Sequence, residues 1–106
     1  MMTEIEIVAR FERLEKSMLE RWIAAGWLKP TVSQSGYLFD EMDVARTHFL
    51  CDLAFAMELG DEELAMVLSL VDRLHATRSV LRELLAAVER QPQEVRDAIL
   101  ADVRRL

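Results

Sequence analysis

The 106-residue chain holds one cysteine, two prolines and three glycines, and each scarcity excludes something. A lone cysteine cannot close an internal disulfide, so nothing points to an oxidising, secreted setting. With so few prolines and glycines there are few breaks, which favours long helices. Gly26 and Gly36 each stand alone, so no phosphate-cradling loop is present. The opening Met-Met-Thr-Glu-Ile-Glu carries acids where a signal peptide needs cations and then an apolar run. No stretch approaches the ~18 uninterrupted apolar residues of a membrane helix. The expectation is a soluble cytoplasmic protein with no membrane segment.

Positive charge is also short. Thirteen Lys and Arg face nineteen Asp and Glu, a net charge of −6. That balance argues against a phosphate-neutralising surface unless the few cations gather on one face. Catalytic and metal-binding groups are thin as well. His48 and Cys51 sit three apart, but zinc needs three or four ligands and His75 is the only other histidine. Neither Cys51 nor any serine has an orienting base nearby in sequence. The chain is therefore expected to be no enzyme, with no cofactor and no metal, and Cys51 reads as a small buried apolar side chain.

What is present is an ordinary globular mixture, 52% hydrophobic and 30% charged. The length suits one compact domain whose own stability is modest, so oligomerisation would help. Thr3 and Glu6 have the form of a capping box, with Ile5, Val8 and Ala9 as the stripe of a first helix. A second helix is expected over about 15–25, with Met18, Leu19, Trp22 and Ile23 inward and Gly26 as its stop. Residues 30–39 turn and then suit a short strand at Tyr37-Leu38-Phe39, the outline of a β-hairpin. Asp40 and Asp43 mark a third helix, very apolar from Val44 to Leu59, which Gly60 is expected to end. Trp22, Trp27, Tyr37 and Phe39 read as filling between hairpin and helices.

From Leu64 to about Arg90 no glycine or proline intervenes. Leu64, Val71, Arg78 and Leu85 are seven apart, as are Val67, Leu74, Leu81 and Val88. This heptad pattern predicts a long helix pairing with a second chain. Val67, Val71, Leu74, Arg78, Leu81, Leu85 and Val88 form the expected dimer seam, and Arg78 leaves open whether one helix or two run here. Pro92 starts a terminal helix edged by Val95, Ile99, Val103 and Leu106. Residues 1–60 read as the core and 61–106 as dimerising and C-terminal helices of the same compact domain.

Helix, turn, helix, hairpin and dimerising helix is an order similar to that of MerR-like winged helix-turn-helix proteins. Leu19-Glu20-Arg21-Trp22 resembles their second-helix run. Gly26-Trp27-Leu28-Lys29-Pro30 resembles the lead into the wing, and Gly36-Tyr37 its return strand. The resemblance implies an all-α fold with a small β-hairpin wing and a long dimerisation helix. Yet Glu20 stands where such DNA readers carry arginine, and residues 30–39 contain no cation. Residues 1–60 hold ten acids against six bases. Tyr37-Leu38-Phe39-Asp40 and the run from Leu64 to Asp72 resemble the chaperone-modulator family CbpM, whose members regulate a DnaJ-like co-chaperone. That resemblance implies a homodimer that binds the J-domain of a CbpA/DnaJ-type co-chaperone and inhibits its action with Hsp70. An acidic surface would meet the basic helix that J-domains present. Asp52, Glu58, Asp61 and Glu62 are the candidate partner-binding residues, although acids at a helix start are also favoured by the helix dipole. The alternative is a MerR-like transcription regulator that binds DNA. DNA binding is expected to be weak or absent.

Overall fold

A computed structural model describes residues 1–106. The chain is mainly helical, with a small three-stranded antiparallel sheet. The elements run β1 (Met2–Thr3), α1 (Glu4–Arg10), α2 (Lys16–Ala24), β2 (Thr31–Ser33), β3 (Gly36–Phe39), α3 (Glu41–Cys51), α4 (Asp61–Glu89) and α5 (Gln93–Arg104). A wide π-type turn, Asp52–Ala56, continues α3.

Local chemistry sets the helix ends. Thr3 Oγ1 accepts from the Glu6 N–H at 3.2 Å, and Glu6 Oε1 accepts from the Thr3 N–H at 3.3 Å. Asp40 and Asp43 repeat the reciprocal arrangement at 2.8 and 3.0 Å. Each box satisfies two backbone donors that a helix start leaves open. Burial raises the Asp43 carboxyl above its ordinary value against the pull of the Asp40 N–H, and the Asp40 charge adds to the rise. At the end of α2, Gly26 takes φ 81°. The Trp27 N–H then reaches Trp22 O at 2.9 Å and the Gly26 N–H reaches Ile23 O at 3.0 Å, a Schellman closure.

The hairpin pairs Thr31 with Leu38, Val32 with Tyr37 and Ser33 with Gly36. Strand β3 lies between β2 and β1, the latter through Met2 opposite Phe39 and Thr3 opposite Leu38. Strand β1 is an addition to the sequence expectation, because two residues are too few to display an alternating pattern.

The chain divides into two compact units, Met1–Leu68 and Ser69–Leu106. The first holds the core, where Ile7, Leu19, Trp22, Phe39 and Leu50 are wholly buried and Leu28, Leu64 and Leu68 nearly so. Thr47 is buried with them, its Oγ1 donating to Asp43 O at 2.7 Å. Trp22 and Phe39 fill the core, while Trp27 and Tyr37 pack half-buried against it. In the second unit, α4 continues without interruption through Arg78 and α5 follows Pro92, and no residue from Ser69 to Leu106 is buried. No helix is long and apolar enough to cross a membrane.

Two local expectations need correction. Ile7, not Ile5, anchors α1, and Ile5 is 83% exposed. The α3 segment stops before Gly60. The Met57 N–H bonds back to Asp52 O, the Leu59 N–H to Leu53 O, and Glu58 takes φ 54°. Glu58 thus supplies the left-handed residue usually left to glycine, at a steric cost of about 1 kcal/mol.

Candidate partner-binding surface

The four acids singled out from the sequence lie in different surroundings. Asp52 opens the π-type turn, and its Oδ2 lies 3.7 Å from His48 Nε2 one turn earlier. The His48 ring in turn stacks on Phe11, with centroids 5.9 Å apart and planes 23° off parallel. These groups, with Glu12, Arg13, Cys51 and Phe55, line a shallow cleft of about 340 Å³. Arg13 lies over the Phe55 ring, 4.7 Å from its centroid. Burial pushes the Cys51 thiol up to about 11, with the Asp52 charge adding to the rise. A thiol so disposed is a poor nucleophile near neutral pH.

Glu58 is exposed in its left-handed turn. Asp61 begins α4, where its Oδ1 lies 3.6 Å from Arg21 Nη2 on α2. Glu62 and Glu63 complete an acidic first turn and are exposed. Asp61 is therefore partly occupied inside its own chain, while Asp52 borders the cleft. No three His, Cys, Asp or Glu side chains come together as a metal site.

Four of the six cations of the first unit have a partner in the chain, and Arg10 and Lys29 do not. Arg13 covers Phe55. Lys16 Nζ lies 4.0 Å from Glu20 Oε1. Arg21 faces Asp61, and Arg46 Nε donates to the Trp27 carbonyl. These contacts spread the positive charge over several local partners. The hairpin strands carry no cation.

Along the proposed seam, Val67 is half-buried against the core of its own unit, and Val71 and Val88 are half-buried. Leu74, Leu81 and Leu85 are 49%, 52% and 51% exposed, and Arg78 is exposed. Leu70, Val80 and Leu84 are exposed with them.

A second surface escaped the sequence reading. Ile5, Val8 and Ala9 do share one side of α1, and with Tyr37 and Leu38 they line a groove of about 600 Å³, with Val8 and Tyr37 also packing half-buried against the core. The helical spacing announced an apolar face. Only the position of β3 shows what that face meets. Compared with known protein families, curated proteins and solved structures, the chain shows no match.

Proposed function

We propose that this chain is a MerR-like winged helix-turn-helix protein of the CbpM kind, a cytoplasmic, non-enzymatic chaperone modulator. In this reading it acts as a homodimer that binds the J-domain of a DnaJ-type co-chaperone and hinders its work with Hsp70. The element order supports it: α1 and α2, then the β2–β3 hairpin in the place of a wing, then α3 and the long α4.

The observation that carries the reading is the disposition of charge. The hairpin has no cation, and Arg13, Lys16, Arg21 and Arg46 are each drawn to a partner within the chain, which leaves only Arg10 and Lys29 without one. DNA binding depends mainly on cations free to neutralise phosphates. A net charge of −6 instead suits a cationic protein surface. Dimerisation is supported by the second unit, where leucines stay about half exposed and nothing is buried. A helical segment gains most of its stability by covering its apolar face, and a second copy would provide that cover.

The test is a titration of a purified J-domain into the chain, paired with a gel shift on duplex DNA. Saturable J-domain binding with a 2:2 mass is expected, with DNA held no more tightly than ~100 μM at moderate salt. A clear shift at low micromolar protein without J-domain binding would favour a DNA-binding regulator.

A further inference from the structure

Helix α1 has two apolar sides with different fates. Ile7 is wholly buried, whereas Ile5 stands 83% exposed at the groove lined also by Val8, Ala9, Tyr37 and Leu38. Apolar surface left in water gains free energy when a partner covers it.

The groove also holds two charged residues, Glu4 and Lys16. They are not equivalent. Lys16 already lies 4.0 Å from Glu20. Glu4 Oε1 is withdrawn from solvent and accepts no hydrogen bond. A carboxylate oxygen out of water without a donor is costly, and a cation placed beside that carboxylate would relieve the cost. The surface thus combines an apolar floor with a carboxylate oxygen that has no donor.

The sheet topology narrows the shape of an occupant. Strand β3 is bonded on both edges, by β1 and β2, so its backbone cannot accept an added strand here. Recognition must come from side chains filling a groove, as an amphipathic helix does with residues one turn apart.

We propose that the groove between α1 and β3 docks a basic amphipathic helix of a partner protein. Ile5 makes the central apolar contact, and Glu4 pairs with a lysine or arginine at the edge of the incoming helix. This rests on the reading of the chain as a binder of a cationic protein, and it places the contact on residues other than Asp52, Glu58, Asp61 and Glu62.

The test uses a short synthetic helix of leucine and lysine in amphipathic spacing, titrated calorimetrically, with a leucine–glutamate peptide as its counterpart. The lysine peptide is expected to bind the wild-type chain and the glutamate peptide to fail. Ile5→Asp should weaken binding about tenfold or more, and Ala9→Glu should weaken it too. Glu4→Gln should cost about threefold or more. Both aspartate and glutamate substitutions add negative charge at exposed positions, so attraction by net charge alone would tighten binding. Unchanged or tighter binding by Ile5→Asp and Ala9→Glu overturns the proposal, as does equal binding of both peptides or none. A wild-type self-association that Ile5→Asp abolishes overturns it in favour of a second copy. J-domain binding retained by Ile5→Asp but lost with Asp52→Asn or Asp61→Asn rejects the groove while leaving the chaperone reading intact. Peptide binding that follows the groove variants without any J-domain binding does the reverse.

Discussion

Arg21 reaches from α2 to Asp61, the first residue of α4, with 3.6 Å between Nη2 and Oδ1. The contact joins a cation of the second helix to an acid that the sequence offers to a partner. Both side chains are more than half exposed, so solvent screens the pair to about 0.2–1 kcal/mol. A double-mutant cycle with Arg21→Ala and Asp61→Ala, read by urea unfolding, should return a coupling in that range. High salt should shrink it. A salt-independent coupling of about 3 kcal/mol would mean a desolvated bridge instead.

The core and the groove side of α1 should respond to truncation very differently. Leu50 is wholly buried, and Leu50→Ala should cost about 2–5 kcal/mol through lost burial and the cavity left behind. Ile5→Ala should stay within about 0.5 kcal/mol, as exposed substitutions do. Chemical denaturation of both variants checks the contrast, and equal losses would contradict the assignment of Ile7 as the anchor of α1.

Glu58 holds a φ of 54° where the α3 segment closes. Glu58→Asn should be neutral or stabilising by up to about 1 kcal/mol, because asparagine tolerates this region best among residues with a side chain. Glu58→Val should destabilise by more than about 1 kcal/mol, since a β-branched residue fits there poorly. Thermal melting should place Glu58→Asn at or above the unsubstituted chain and Glu58→Val below it.

The Cys51 thiol is pushed up from 9.0 to about 11. The folded chain therefore keeps this proton after the unfolded chain has lost it. Stability from this group is intact below pH 9, falls as pH rises from 9 to 11, and is lost by about 2–3 kcal/mol beyond. Cys51→Ala should flatten that alkaline decline, measured by urea unfolding at pH 7 and pH 10.5. At pH 7.5 the native thiol should resist iodoacetamide and react only on unfolding.

Leu74 and Leu81 are about half exposed along α4. If the proposed seam pairs two copies, replacing both with Asp should give monomers or unfolded chains, because charges would be buried unpaired across it. Light scattering that reports an unchanged dimer mass would reject that seam.

Much of the first unit was legible in the residues themselves. Thr3 with Glu6, Asp40 with Asp43, and Gly26 act through bonds within a few residues, so local sequence carries their geometry. The π-type turn was not legible. Asp52–Ala56 contains neither glycine nor proline, and the extra residue in the turn leaves no compositional mark. The end of the helix at Glu58 followed from that turn rather than from Gly60. Of the candidate acids, Asp61 could be placed at a helix start from its spacing, but its pairing with Arg21 needed the first residue of α4 to meet α2.

The sequence by itself determined the helical character, the caps, the heptad spacing of α4 and the scarcity of positive charge, because these depend on residue types and on neighbours within a turn or two. Tertiary structure alone decided that Ile7 enters the core while Ile5 borders a groove, that β1 joins β3, and that Arg13, Arg21 and Arg46 meet Phe55, Asp61 and Trp27. Each of those outcomes requires residues distant in the chain to meet. A side chain's fate is set by what stands opposite it, and periodicity cannot report that.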